Sequence, residues 1–395
     1  MKKEDFTKGS PGRLVKIQGG ALAFIPEPLP PRIEPTNELM DALAEARAAL
    51  GEWAGIGGQF PEMRLLIRPF RLKEAEASSR IEGTEAELDE LFVHEADPAS
   101  RPEKADAVEE VRNYLVALDV GMERVKEIPV SLRLVRELHK NLMEGVRGGN
   151  KAPGEFRRIQ NRVGGSSLRD ALYVPPPVPQ MSECISDWEK FIHADSEIQP
   201  LIRLALLHYQ FEAIHPFMDG NGRVGRLLIP ILMYVWDLLP QPVLYLSAYF
   251  ERNRREYFSL LLDVSQRGNW REWILFFLRG VEEQARDAAW RARKLLDKKE
   301  EFRQRIRASG SATALRLADD LMTLPICTSR WTAERLSVTQ ATAIRAIQTL
   351  EVAEILKEET GRRRNRRWVA REILDVLTEE APPEVIDRKQ ATLVS

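Results

Sequence analysis

The stretch from Ile214 to Arg226 reads IHPFMDGNGRVGR, and it carries most of what the sequence predicts about fold and chemistry. Gly220 and Gly222 flank Asn221, so the backbone can bend sharply there and approach a ligand closely. A helical pattern of apolar residues follows at once, and the unpaired N–H groups at the start of a helix favour anions. The spacing therefore predicts an anion cradle at a loop-to-helix junction.

Charged side chains are placed around this cradle. Arg223 and Arg226 are three residues apart in the first helical turn and share a face, so both can hold phosphate oxygens. Asp219 is a hard oxygen ligand suited to Mg²⁺ that is held jointly with phosphates. His215 precedes the cradle, where a neutral imidazole can take a proton from an attacking hydroxyl. This combination is typical of phosphoryl or nucleotidyl transfer, which depends on positioning and charge neutralisation.

Each feature is weak when it stands alone, because most single histidines and glycine pairs are structural, but the complete set at this spacing is specific. HPFMDGNGRVGR matches the signature of the Fic family, HxFx(D/E)GNGRxxR, at every fixed position: His215, Phe217, Asp219, Gly220, Asn221, Gly222, Arg223 and Arg226. The resemblance implies a mainly α fold with a Fic-type helical core in which the motif loop joins two helices. It also implies transfer of AMP from ATP to a Ser, Thr or Tyr hydroxyl of a protein substrate.

The resemblance gives roles to individual residues. His215 would be the catalytic base, Asp219 would bind Mg²⁺, and Asn221 with the loop amides would form the anion hole. The ATP phosphates would lie on the loop and the first helical turn: Asp219, Gly220, Asn221, Gly222, Arg223, Val224, Gly225 and Arg226. The rest of the nucleotide would lie beside Glu82, Tyr257 and a flap segment: Val163, Gly164, Gly165 and Ser166. Ser265 departs from relatives that often carry Asn near that place.

A second motif lies upstream. Ser78, Glu82 and Gly83 match the inhibitory pattern (S/T)xxxE(G/N) of the same family. Gly83 is placed like the residue that follows a helix end, which puts Glu82 in the last turn, where the helix dipole disfavours an anion. The resemblance implies that Glu82 pairs with Arg226 and obstructs the γ-phosphate of ATP.

Helical patterns dominate the rest of the chain. Helices are predicted over residues 37–50, 72–82, 85–94, 102–124, 130–145, 181–194, 199–214, 226–238, 251–266 and 270–306. Residues 20–36 hold five prolines and are predicted to form an extended arm outside the core. Residues 162–174 mix glycine and serine with β-forming residues and are predicted to form a hairpin flap beside the active site.

The pattern changes after Ser309-Gly310-Ser311. Residues 312–377 read as helix, short turn, second helix and two strands, which is the order of a winged helix-turn-helix domain. Five arginines make the wing basic: Arg362, Arg363, Arg364, Arg366 and Arg367. Contact with nucleic acid, protein binding and dimerisation all stay open for this module. The predicted division is 1–128 (arm and helical region), 129–308 (Fic core and following helix), 309–378 (winged helix) and 379–395 (tail).

Composition excludes several other classes of protein. The formal net charge of −2 argues against a chain that binds nucleic acid over its whole surface. The N-terminus has no apolar signal-peptide core, and the longest apolar run is too short to span a bilayer. Cys184 and Cys327 are far apart and are predicted to be buried thiols. These features predict a cytoplasmic protein without a membrane partner.

Other functions compete with AMP transfer. A transferase for a different phosphate-containing group can use the same scaffold, but such relatives depart from the motif at positions that Gly222 and Arg226 retain here. A winged-helix DNA-binding regulator with a Fic-type sensor core is a third reading, against which an intact His215 and Asp219 argue. Removal of AMP by a water that Glu82 positions is a further activity. Relatives commonly form homodimers, which is the predicted assembly.

Overall fold

The computed structural model describes residues 1–59, 64–97, 100, 104–146, 151–240, 244–362 and 365–386. The helices among them are α1 Asn37–Gln59, α2 Arg64–Ile81, α3 Leu88–Ala96, α4 Ala105–Arg124, α5 Leu132–Leu142, α6 Val178–His193, α7 Pro200–Ile214, α8 Asn221–Val235, α9 Leu246–Arg252, α10 Arg254–Arg267, α11 Trp270–Ile306, α12 Ala312–Leu321, α13 Ser329–Leu336, α14 Gln340–Val352, α15 Arg371–Thr378 and α16 Pro383–Ile386. The strands are β1 Gly12–Lys16, β2 Leu22–Pro26, β3 Ile326–Thr328, β4 Lys357–Glu358 and β5 Arg367–Val369.

The predicted mainly α fold is confirmed, with differences at several helix boundaries. α8 begins at Asn221 rather than 226, because Gly220 adopts a left-handed conformation that starts the helix there. The predicted helix 251–266 is two helices that meet at Asn253. α2 begins eight residues before the predicted start and contains Pro69, so the proline did not prevent the helix from forming.

The prediction of an extended arm over 20–36 is wrong at its N-terminal end. Strand β2 pairs antiparallel with β1, from Gly12 opposite Pro26 to Lys16 opposite Leu22. Ala23, Phe24 and Ile25 are buried, so this segment belongs to the core. Pro26 is compatible with the strand because it stands at the strand's end, where a missing N–H costs little.

Helices α7, α8 and α11 form the centre of the molecule. α7 is buried on nearly every face, which agrees with its continuous apolar sequence and brings its C-terminus into the interior. α8 packs against α7, α4, α5 and α2. The 37-residue α11 packs along α1 and continues to α12 and α15, so one apolar core runs from the N-terminal helices to the C-terminal module.

Among the described residues, the C-terminal module has four helices, α12 to α15, and a small antiparallel sheet with the strand order β3-β5-β4. α11 ends at Ile306 and Gly310 has a φ of 60°, so the chain turns at the predicted boundary. Helix, strand, two helices and a hairpin is the order that the winged-helix prediction requires, and that class stays a prediction. Arg363, Arg364 and most of the predicted tail lie outside the described residues.

Among the residues that the structure describes, no helix is both long enough and apolar enough to cross a membrane.

Candidate active site

The loop between α7 and α8 is closed by one side chain. His215 follows α7 with φ 50° and ψ 59°, and Gly220 precedes α8 with φ 73°. Asn221 Oδ1 accepts from the Phe217 N–H at 2.8 Å, and Asn221 Nδ2 donates to the Phe217 carbonyl at 3.0 Å. The Asn221 side chain therefore closes the loop, and its place in the anion hole stays a prediction. The N–H groups of the first turn of α8 are the donors that remain for an anion.

Arg157 and His139 lie outside the motif and help to hold this loop, and sequence reasoning missed both. Arg157 Nε donates to the His215 carbonyl at 3.0 Å, and Arg157 is 2% exposed. His139 donates from Nε2 to the Asp219 carbonyl at 3.0 Å, because its Nδ1 accepts from the Gly154 N–H at 2.8 Å. The His139 ring also stacks on Phe217 with 3.8 Å between ring centroids. Both residues lie far from the motif in sequence, so no local pattern connects them with it.

His215 has the protonation state that a general base needs. Its Nδ1 lies 3.3 Å from the Glu212 carbonyl, which can only accept, so Nδ1 carries the proton and Nε2 keeps its lone pair. Burial lowers the pKa of His215 to about 4. The imidazole is therefore neutral at physiological pH.

Arg226 lies in the interior and has three interactions with the end of α2. Its side chain is 1% exposed. Nε donates to Ser78 Oγ at 3.0 Å, and Nη2 donates to the Ser78 carbonyl at 2.9 Å and to Glu82 Oε1 at 2.6 Å. Burial alone would raise the pKa of Glu82, but the Arg226 guanidinium outweighs burial and holds that pKa below its ordinary value. The pairing of Glu82 with Arg226 that the sequence motif implied is present in the structure.

The Glu82 carboxylate also lies against the cradle. A Cβ atom added to Gly222 would lie 2.2 Å from Glu82 Oε1, so the carboxylate touches the backbone in the first turn of α8. Gly83, with φ 89°, ends the helix that presents Glu82, as predicted. The segment that carries Ser78, Glu82 and Gly83 is therefore in direct contact with the cradle.

Arg223 faces a different carboxylate. Its Nη1 lies 3.3 Å from Glu110 Oε2 on α4, and the two side chains are 5% and 7% exposed. Nη2 contacts only the sulfur of Met143 at 3.5 Å, and the buried Nε has no partner among the described residues. Arg223 thus has donors that are free to bind an anion on the cradle.

Two family models match the chain. The model described as Fic/DOC family N-terminal matches residues 40–123, and the model described as Fic/DOC family matches residues 129–233. The chain therefore carries the Fic/DOC domain, preceded by the N-terminal region of that family. The second match contains the whole loop motif, and the first contains Ser78, Glu82 and Glu110.

The chain is also similar to curated relatives in sequence and to a solved structure in fold. The chain is 28% identical over 174 residues to the protein adenylyltransferase Fic of Drosophila erecta and to that of Drosophila yakuba. Each match covers 42% of this chain and only 31% of the relative's own length. The crystal structure of a Fic family protein from Desulfovibrio desulfuricans G20 superposes with a TM-score of 0.58 at 20% identity, covering 87% of this chain and 98% of that one. This structural likeness shows the shared fold.

Asp219 is the residue of this Fic site that fits a magnesium ion. Its Oδ1 accepts from the Gly220 N–H at 2.8 Å, and its Oδ2 accepts from Lys151 at 2.8 Å. Hydrogen bonds from Lys151 and Gly220 outweigh burial and lower the pKa of Asp219, so the carboxylate is ionised. No cluster of three or more His, Cys, Asp or Glu side chains suited to a metal occurs among the described residues, and Mg²⁺ needs only one or two carboxylates when phosphates complete its shell.

The other residues that were predicted to contact the nucleotide differ in how deeply they are buried. The flap is closed by one antiparallel bridge between Val163 and Tyr173, with left-handed turns at Gly164 and Gly165. Ser166 is exposed and donates to Asp170, which closes the tip of the flap. Val224 is fully buried and its N–H bonds to the Gly220 carbonyl as the first hydrogen bond of α8.

Tyr257, which the sequence placed beside adenine, is fully buried. Its hydroxyl lies 2.9 Å from His208 Nε2, and its ring stacks on Phe250. The neighbouring Phe258 is 42% exposed, so it is the aromatic ring of this pair that a bound base can reach. Ser265 is also buried, and its hydroxyl is paired with Tyr209.

Proposed function

We propose that this Fic protein transfers AMP from ATP to a hydroxyl group of a protein, and that Glu82 holds it in a state of low activity. The observation that carries the proposal is the neutral imidazole of His215, with Nε2 unprotonated, at the edge of a cradle bordered by Arg223 and Arg226. The name of the Drosophila relatives, protein adenylyltransferase, supports the same reaction. The aligned regions cover less than a third of the length of those relatives, so the reaction is a proposal for this chain.

The proposed reaction is a nucleophilic substitution at the α-phosphorus of ATP. The oxygen of the target hydroxyl forms a bond to the α-phosphorus of ATP, and its proton passes to Nε2 of His215. The bond between the α-phosphorus and the bridging oxygen of the β-phosphate breaks, and pyrophosphate leaves. The first-turn N–H groups of α8, with Arg223, stabilise the negative charge on the phosphate oxygens.

Mg²⁺ would be held by Asp219 together with the phosphates, where it would neutralise part of their charge. Asp219 would have to exchange its bond to Lys151 for the metal. The flap would align the backbone of the target protein by strand pairing. Leu172, on the flap, is 66% exposed and supplies an apolar contact for such a target.

The low-activity state would arise from competition for one guanidinium. Among the described residues, Glu82 is the one carboxylate that is hydrogen-bonded to Arg226. The γ-phosphate of ATP would need the same Nη2 donor. While Glu82 occupies it, ATP can still bind, but its phosphates settle in a pose that does not react. Homodimer formation, a cytoplasmic location, contact with nucleic acid through the C-terminal module and removal of AMP stay predictions.

The test uses ATP labelled at different phosphates. We expect the Glu82→Gly enzyme to become labelled by ATP carrying the label at the α-phosphate and to stay unlabelled when the label is at the γ-phosphate. His215→Ala in the same background is the matched control and should remain unlabelled with either nucleotide. Labelling from the γ-phosphate would replace AMP transfer by a kinase-like reaction.

A further inference from the structure

The turn that follows α2 is anchored before Glu82, where Arg254 Nε donates to the Ile81 carbonyl at 3.0 Å, and after it, at Thr84. Glu82 and Gly83 are exposed, whereas Thr84 directly after them is 6% exposed. The Thr84 N–H bonds back to the Ser79 carbonyl at 3.1 Å, so Thr84 closes the helix end. The position of the Glu82 carboxylate therefore depends on where Thr84 is held.

Thr84 is held by Glu110. Its hydroxyl donates to Glu110 Oε2 at 2.6 Å, and this hydrogen bond is buried. The same oxygen lies 3.3 Å from Arg223 Nη1. Glu110 stands in the middle of α4, a helix that packs against both α2 and α8. One carboxylate oxygen thus joins the turn of the inhibitory motif to a phosphate-binding arginine.

Glu110 is suited to be the fixed end of this link. Its charge is buried and paired with Arg223, and breaking such a pair leaves an uncompensated charge in the interior. Glu82 is different, because its side chain is 36% exposed and stands at a helix end. The mobile carboxylate is Glu82, and the bond from Thr84 to Glu110 limits how far its turn can move from the cradle.

We propose that Thr84 is a positioning residue of the inhibitory motif, and that its hydrogen bond to Glu110 keeps Glu82 on Arg226. This inference rests on the proposed function, since it assigns to Thr84 a part of the inhibition by Glu82. Without the hydroxyl, the turn keeps its shape but loses its buried anchor. Glu82 then leaves Arg226 more often, and the site is open for a larger fraction of the time.

The test measures the initial rate of automodification and compares variants that differ by one group. Thr84→Val replaces the hydroxyl by a methyl group of similar size. We expect it to raise the rate by roughly three- to tenfold, which is less than the full effect of a hydrogen bond to a charged group because the bond between Glu82 and Arg226 itself is retained. Thr84→Ser keeps the hydroxyl and should stay within about twofold of wild type. Thr84→Ala serves as a second variant if Thr84→Val does not fold. Hydrogen exchange of residues 79–84 should be faster in Thr84→Val than in Thr84→Ser.

The decisive measurement is made in the Glu82→Gly background. A residue that acts only by positioning Glu82 has nothing left to position there, so adding Thr84→Val should change the rate by less than about twofold. An equal increase in both backgrounds would show that Thr84 acts elsewhere and would overturn the inference. A wild-type rate for Thr84→Val, with Glu82→Gly strongly activated, would overturn it while leaving inhibition by Glu82 intact. If Glu82→Gly itself is not activated, the proposed inhibition by Glu82 is wrong, and the part assigned to Thr84 is wrong with it.

Discussion

Replacing Glu82 by glycine removes the one carboxylate that bonds to Arg226 among the described residues. Arg226 keeps its bonds to the hydroxyl and carbonyl of Ser78, so the buried guanidinium stays partly satisfied and the fold should survive. The substitution also frees the space that Glu82 Oε1 occupies against Gly222. Both changes favour a triphosphate on the cradle, so automodification should increase.

The size of the increase follows from the contact that is lost. A hydrogen bond to a charged group contributes about 1.5–3 kcal/mol when both partners are shielded. The Glu82 side chain is 36% exposed, so solvent screening favours the lower end of this range. Because about 1.4 kcal/mol corresponds to a factor of ten in an equilibrium, the open state should become at least roughly tenfold more populated. The rate should rise by the same factor as long as the open state remains the minor one.

The assay is transfer of label from α-labelled ATP to the enzyme, with initial rates at equal nucleotide concentration. Glu85→Gly is the matched control, because Glu85 is an exposed glutamate three residues away whose one ion pair among the described residues is with Lys104. It should leave the rate unchanged. Arg226→Ala should stay poorly active even when combined with Glu82→Gly, since it loses the anchor of the inhibitory residue and the phosphate contact together. Equal rates for Glu82→Gly and wild type would refute the reasoning.

Three further outcomes follow from the site and its surroundings. His215→Ala should lower the rate of AMP transfer by about two to four orders of magnitude, while calorimetry shows unchanged ATP binding. Because burial lowers the pKa of His215 to about 4, the Glu82→Gly enzyme should keep its rate at pH 6, and a loss of rate with an apparent pKa near 6.5 would contradict this. Lys151→Met should lower the Mg²⁺ concentration needed for ATP binding by about two- to fivefold, the range of a half-exposed ion pair on Asp219, and an unchanged requirement would exclude competition. Burial raises the pKa of Glu74 to about 7, above its value in the unfolded chain, so the contribution of Glu74 to stability is present below pH 4.5 and is lost as the pH rises through 7. Denaturant titration should therefore show that the unfolding free energy of wild type, relative to that of Glu74→Gln, falls between pH 5 and pH 8.

The parts of the site that sequence could predict are local ones. Gly220 and Gly83 allow left-handed backbone, the helix that follows Asn221 creates unpaired N–H groups, and each of these effects arises within a few residues. The strand β2 could not be predicted in this way, because its pairing with β1 and the burial of Phe24 depend on parts of the chain outside the proline-rich segment. The direction of the Tyr257 side chain depends on a distant partner, His208, so the sequence predicted where Tyr257 lies along the chain but not that its ring points into the core.

The contacts of the C-terminal module show the same limit on a larger scale. The change of pattern after Ser309 indicated a separate unit, and the chain does turn there. The end of α15 is nevertheless held by two cations from elsewhere: Lys73 donates to the Leu377 carbonyl at 2.6 Å, and Arg291 donates to the Val376 carbonyl at 2.5 Å. Cations stabilise the C-terminus of a helix, and Lys73 lies on α2, the helix that ends at the inhibitory turn. A local change in composition marks where a module begins, but only the folded chain shows that the module rests on the helix that carries Ser78.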